Sequence, residues 1–301
     1  MMDETAFVMG DGARLPYRCW MPEEAPRQVV LALHGFDDSR DAWEYPAPAF
    51  AAAGFALYAP DQRGFGAAPL RGRWPGTATL VRDAATMARL LAARHPGLPL
   101  VLMGESMGAA VLMALASGPL ALGGARQVLI APAVWGRGHM NPLYTVALSL
   151  AVRLFPGLRF RRAPVPIVAS DNREALIRLS QDPLTIHATS VEALWGLVNL
   201  MDAADHAAPK LRIPALFLYG GHDELVPKQA MAANWRALPR GGIGGPRLAF
   251  YPCGYHLLLR DLDRDVPIGD ILSWLANPWP VLPSGAEGAA ELWLEAQPRQ
   301  G

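Results

Sequence analysis

The segment Gly104-Glu105-Ser106-Met107-Gly108 constrains this chain more than any other. Before it lies Leu98-Pro99-Leu100-Val101-Leu102-Met103, a short apolar run of the kind found in parallel strands buried on both faces. After it, Met107 to Ser117 is rich in helix formers and stops at Gly118-Pro119. Ser106 therefore falls on a strand-to-helix turn. Such a turn strains the backbone and leaves no room for Cβ atoms on either side, a need that glycine at 104 and 108 meets. It presents the serine hydroxyl above the sheet edge, with a helix N-terminus beneath. A bare G-x-S-x-G occurs by chance in many chains. The strand before and the helix after favour a nucleophile over a structural Gly-Ser turn.

The rest of the chain repeats the strand–helix rhythm. Ala6 to Met9 and Leu15 to Trp20 flank Gly10-Asp11-Gly12 and read as a hairpin. Buried strands are expected at Gln28–Leu33, Phe55–Pro60, Val128–Ala133, Leu211–Tyr219 and Arg247–Tyr251. Helices are expected at Thr79–Arg94, from Pro227 to about Ala237, and near Ile268–Leu275. In the loop after Pro60, Asp61 and Arg63 are expected to pair.

The rhythm breaks between about Trp135 and Asp205, where helices but no convincing strand are found. Asn141-Pro142 supplies an N-cap and first-turn pair, and Pro156-Gly157 ends that helix. Thr145, Ser149 and Arg153 form its one narrow polar stripe; Leu143, Val146, Leu148, Leu150, Leu154 and Phe155 make it apolar elsewhere. Asp171 with Glu174, and Thr189 with Glu192, read as capping boxes. The expected organisation is an α/β core over residues 1–134 and 206–277, a helical cap over 135–205, and a C-terminal tail over 278–301. The glycines between Arg240 and Pro246 suggest a mobile loop. Leu143, Leu148 and Leu150 are the candidate lining of an acyl-chain pocket beneath the cap.

Composition narrows the function. The 301 residues are 51% hydrophobic, ample for one large domain with an insertion. Lys plus Arg and Asp plus Glu are 27 each, with no basic stripe, so nucleic acid is not an expected partner. Cys19 and Cys253 do not suggest a disulfide framework. The first residues lack the charged and apolar regions of a signal peptide, and no apolar run reaches the ~18 residues of a membrane span. A soluble, cytoplasmic protein is expected. No metal-ligand spacing is present, so no metal is expected.

A serine nucleophile needs a base, and the base needs an acid to orient it. Asp223 and His256 each lie just past an expected strand, and with Ser106 they run in the order Ser, acid, His. Glu224 and Asp61 are rival acids and His222 a rival base; Asp61 precedes the serine, and His222 precedes the acid. His34-Gly35 follows the strand at Gln28–Leu33, where one oxyanion donor is expected. The backbone amides of Phe36 and Met107 are the candidate donors, and His34 is expected to hold that loop by hydrogen bonds. Cys253, three residues before His256, is a site where an adduct could shift the histidine loop; the simpler expectation is a buried, inert thiol.

His34-Gly35, Asp61-Gln62-Arg63-Gly64-Phe65-Gly66, Gly104-Glu105-Ser106-Met107-Gly108, Gly220 to Asp223 and Gly254-Tyr255-His256-Leu257-Leu258 resemble the monoacylglycerol lipase/lysophospholipase branch of the α/β-hydrolases, related to the serine aminopeptidases. The resemblance covers about residues 6 to 276, including Asp182-Pro183-Leu184 and Pro209-Lys210-Leu211. It implies an α/β-hydrolase fold, a mostly parallel sheet flanked by helices, with an inserted cap and cofactor-free ester hydrolysis. The expected substrate is a small lipid-like ester with one acyl chain, with transient contact between the cap and a membrane surface. A serine aminopeptidase and a non-catalytic binder on the same scaffold are the alternatives. A peptidase would need cap carboxylates for the substrate amine. Residues 135–170 contain none, and only Asp202 and Asp205 are expected to be free.

Overall fold

The computed structural model describes residues 5–161, 167–239 and 245–298. Its centre is an eight-stranded sheet in the order β1-β2-β4-β3-β5-β6-β9-β10. The strands are β1 (Ala6–Val8), β2 (Arg14–Trp20), β3 (Gln28–Leu33), β4 (Phe55–Pro60), β5 (Leu100–Glu105), β6 (Arg126–Ile130), β9 (Ala215–Gly220) and β10 (Arg247–Tyr251). β1 and β2 form the expected antiparallel hairpin, and β2 pairs antiparallel with β4. All other pairings are parallel.

Parallel strands need a covered sheet on both faces, and side-chain alternation delivers two cores. Val29, Leu31 and Leu33 of β3 point into one core. It contains α2 (Thr77–Arg94), α3 (Met107–Ser117) and α7 (Lys228–Ala237). Val30 and Ala32 point into the other, with α1 (Ala47–Ala52) and α8 (Asp265–Ala276).

Between β6 and β9 the chain leaves the sheet as α4 (Pro142–Leu154), β7 (Arg159–Arg161), α5 (Arg173–Gln181), β8 (Ala188–Ser190) and α6 (Val191–Ala207). β7 and β8 form a short antiparallel pair, a departure from the expectation of helices alone. Each has three residues, too few for a period to register. The helix starts also sit one residue later than expected. Asn172, not Asp171, caps α5 by accepting from the Ala175 amide, and Ser190, not Thr189, caps α6 by accepting from the Ala193 amide. Asp171 accepts instead from the Leu262 amide, and Thr189 donates to Asp37.

Asp61 and Arg63 do not pair, because their loop sends them to different elements. Fully buried Asp61 accepts from the Arg40 amide and Nη1, both at 2.7 Å, and from the Ala67 amide at 2.8 Å. Arg63 donates to Asp83 at 2.7 and 3.0 Å and to Asp11 at 2.7 and 3.2 Å. Gly66, at φ 55°, permits the first arrangement: a Cβ there would stand 2.1 Å from the Asp61 carboxyl carbon.

Residues after 278 are not simply a tail. They form α9 (Ala286–Ala296), which packs on the sheet edge. Trp293 stacks on Phe250 with ring centroids 5.0 Å apart, and Arg247 is bound by Glu287. The expected loop at 240–246 falls mostly outside the described residues, since 240–244 are not among them. Trp293→Ala should cost about 3–5 kcal/mol of unfolding free energy. Denaturant titration checks it: an unmoved midpoint would mean that α9 is not part of the folded core.

Candidate functional site

Ser106 sits where β5 gives way to α3, with φ 53° and ψ −111°, in a region that residues with a Cβ seldom occupy. Its amide donates to Ile130 O at 2.8 Å and its carbonyl accepts from the Ala133 amide at 3.1 Å, so the neighbouring strand end holds the turn. A Cβ on Gly108 would lie 2.2 Å from Leu33 O, and one on Gly104 would lie 2.6 Å from the Ala109 amide nitrogen. Both glycines are required by this close approach.

The three candidate catalytic residues converge. His256 Nδ1 and Asp223 Oδ2 are 2.8 Å apart, and both residues are 4% exposed. Asp223 Oδ1 accepts from the amides of Leu225 and Val226 at 2.8 and 2.9 Å, which aims its other oxygen at the histidine. With Nδ1–H donating to the carboxylate, Nε2 is the ring nitrogen that can accept a proton. Ser106 and His256 line one cavity. Burial pulls the His256 pKa down, but the Asp223 charge and hydrogen bond, with a smaller contribution from Glu105, outweigh it and leave the group above its ordinary value.

The rivals are occupied elsewhere. Asp61 is paired with Arg40, and Glu224 accepts from the Val168 amide at 3.0 Å. His222 lies edge-on to Tyr255. His34 does hold its loop: Nε2 accepts from the Gln62 amide at 3.0 Å, which leaves Nδ1–H to donate to Gly35 O at 2.7 Å.

Of the candidate oxyanion donors, Met107 directly follows Ser106 and Phe36 shares its cavity. Met107 opens α3, where the first amides have no intrahelical acceptor. Gly35 approaches so closely that a Cβ on it would lie 3.5 Å from Ser106 Cβ, and Phe36 lines the cavity.

The cavity measures about 580 Å³ and its walls are mostly apolar, among them Trp135, Met140, Leu148, Leu197, Met201 and Leu257. Of the three expected lining leucines only Leu148 is there. Leu143 and Leu150 are 75% and 56% exposed. Helix α4 lays Leu148 and the stripe of Thr145 and Ser149 toward the protein, leaving the larger apolar flank outward. Helical composition gives the width of a face but not the side on which neighbours lie.

The carboxylates expected to be free are not. Asp202 is paired with Arg137, and Asp205 lies 3.1 Å from Asn234 Nδ2 and 3.5 Å from His139 Nε2. At the cavity wall Asp37 accepts from the Thr189 hydroxyl, while Asp38 and Glu105 share the buried Arg260. This last ion group was not singled out from the sequence. Glu105 was visible only as the variable residue of its motif, and nothing in the spacing links it to Arg260 or Asp38.

A family model described as serine aminopeptidase, S33, matches residues 24–263. The chain belongs to that family. Proteins similar to this chain include lipases and esterases. The monoacylglycerol lipase of Mycolicibacterium smegmatis is 27% identical over 283 residues, covering 91% of this chain and 97% of that one. The monoacylglycerol lipase of Paleococcus ferrophilus superposes with a TM-score of 0.72 at 20% identity, covering 87% of this chain and 98% of that one. A thermostable carboxyl esterase from Bacillus coagulans superposes with a TM-score of 0.74 at 22% identity, covering 91% and 97%. The structural likenesses establish the shared α/β-hydrolase fold.

The Cys253 thiol is exposed, not buried, and stands three residues before His256. A maleimide should therefore slow turnover in the wild type and leave Cys253→Ser unaffected. Equal inhibition of both would show that the adduct acts elsewhere.

Proposed function

We propose that this chain hydrolyses carboxylic esters of single-chain lipids, of the monoacylglycerol or lysophospholipid kind, through an acyl-enzyme. The observation that carries this reading is the buried Asp223–His256 pair opening, beside Ser106, onto an apolar cavity of about 580 Å³. In this mechanism Ser106 Oγ attacks the ester carbonyl carbon and His256 Nε2 takes the hydroxyl proton. The amides of Phe36 and Met107 hold the oxyanion, each worth roughly 3 kcal/mol in the transition state. The tetrahedral intermediate expels the alcohol, which leaves with the proton from His256. Water then attacks the acyl-enzyme by the same route, returning the carboxylic acid and free Ser106. Asp223 keeps the imidazole in the working tautomer and stabilises the imidazolium.

The aminopeptidase reading finds little support. An ammonium group would need an unpaired carboxylate, and those at the cavity wall and at Asp202 and Asp205 have partners. A non-catalytic binder would have no use for a buried Asp–His pair beside a strained serine.

The outward face of α4 supports action at a lipid surface. Leu143, Tyr144, Val146, Leu150, Leu154 and Phe155 are between 56% and 75% exposed. Such a patch is unusual on a surface that stays in water. Arg153 is exposed on the same helix, and residues 135–170 contain no acid, which suits an anionic membrane. No helix among the described residues is long and apolar enough to cross one.

Three outcomes are expected. A fluorophosphonate probe labels the wild type and not Ser106→Ala; labelling that survives the substitution would remove Ser106 from the role. His256 must be neutral to accept the proton. Because its pKa is raised, kcat/KM should fall on acidification through a value above the ordinary ~6.5 of histidine. An acid limb at or below that value contradicts the described environment. Finally, each methylene buried contributes about 0.8 kcal/mol, so kcat/KM on p-nitrophenyl esters should climb from acetate toward octanoate. Leu148→Arg should flatten that rise, whereas Leu150→Arg should spare it and weaken flotation with phosphatidylglycerol vesicles. Acetate as the best ester, or faster cleavage of amino-acid anilides, would refute the lipid-ester reading.

A further inference from the structure

We propose that Arg260 is a positioning residue, clamping together the loop that carries the oxyanion donor, the serine turn and the histidine loop. The clamp rests on the reading of Ser106 as nucleophile. Arg260 is 4% exposed and follows His256 by four residues, in a turn where its amide donates to Leu257 O at 2.7 Å. Its Nη2 donates to Asp38 Oδ2 at 2.5 Å and to Glu105 Oε2 at 2.7 Å. Asp38 lies two residues after Phe36, and Glu105 immediately precedes Ser106. One nitrogen thus spans the segments that bear the oxyanion donor and the nucleophile, from a residue anchored beside the base.

The attachment extends to the cap. Asn172, which caps α5, donates through Nδ2 to Arg260 O at 2.9 Å. The next residue, Asp261, accepts from the Tyr255 amide at 2.8 Å, directly before His256.

A structural account alone does not explain this chemistry. A buried ion group costs desolvation that apolar side chains of similar volume would avoid. Arg260 Nε is buried without a hydrogen-bond partner, so the guanidinium is not placed for maximal bonding. What the arrangement achieves is a fixed separation between groups that must sit within fractions of an ångström of their working positions. It also places charge at the base. His256 is faced by Asp223 from the loop after β9, Glu105 from the serine turn and Arg260 from its own loop. Asp38 acts through Arg260, Asp261 is held by Ser170 and Tyr255, and Glu224 is turned to Val168. Glu105 favours the imidazolium and Arg260 opposes it.

The test measures the rate of fluorophosphonate labelling against pH, well below the melting temperature, in folded wild type, Arg260→Met, Arg260→Lys and Glu105→Gln. Labelling reads the nucleophile and is independent of which ester is the true substrate. Arg260→Met should slow it by about 100-fold, the scale of an ångström-sized misplacement. Arg260→Lys should recover most of that rate, since an ammonium can reach both carboxylates. Glu105→Gln should move the acid limb to lower pH, a change that loss of packing alone would not produce. With a short ester, the loss in Arg260→Met should appear in kcat more than in KM. A wild type that resists the probe overturns the nucleophile reading and the clamp with it. A labelled wild type beside an unaffected, folded Arg260→Met overturns the clamp alone. Should Arg260→Met not fold, Glu105→Gln decides, and an acid limb unmoved from wild type is then the contrary result.

Discussion

The site depends on one close approach, that of the first turn of α3 to the end of β3. Only at glycine can the backbone at 108 sit against the Leu33 carbonyl, where a Cβ would be 2.2 Å away. That contact obliges the chain to turn sharply at Ser106, with a strain of order 1–3 kcal/mol. The neighbouring chain carries this strain, through the bonds from the Ser106 amide to Ile130 and from the Ala133 amide to Ser106. The same contact brings the loop that follows β3 against the serine. The position of Ser106 and that of the loop after β3 thus share one geometric cause, the glycine at 108.

Around this turn the protein holds a group of ions largely shut off from water. Asp223, Glu105 and Asp38 are each under 7% exposed, and among the described residues they pair with His256 when protonated and with Arg260. Burial of so much charge is costly unless every partner is in place, so a small displacement of any of the loops has a large energetic effect. The site is therefore held as a unit instead of residue by residue.

The cap is bound to the same unit. Thr189 donates to Asp37, the Ile186 amide to Asp37 O, the Leu257 amide to Ala169 O and the Val168 amide to Glu224. Asp37 itself adopts φ 62°, so the loop after Phe36 is bent to meet the cap. These ties join the cap to the loops on either side of the serine. The apolar outer flank of α4 carries none of these ties and is exposed.

Much of this was legible in the residues. The strand Phe55–Pro60 appears as an unbroken apolar run because both faces are covered, and its bounds, like those of Arg247–Tyr251, coincide with the structure. The turn at Ser106 announces itself because glycine alone tolerates its crowding, and Asp223 and His256 are each visible as polar residues just past an apolar strand. Local chemistry decides such features, so the sequence determines them by itself. Other features depend on neighbours distant in the chain. Asn172 and Ser190 displaced adjacent cap-competent residues because Asp171 and Thr189 had partners at Leu262 and Asp37. α9 was hidden by a composition of small and charged residues whose significance lies in Trp293 meeting Phe250. The direction in which α4 faces, the pairing of Asp61 with Arg40, and the union of Asp38, Glu105 and Arg260 were decided only by tertiary structure. Each joins groups separated in the chain, and a buried charge takes whichever partner the packed fold places within reach.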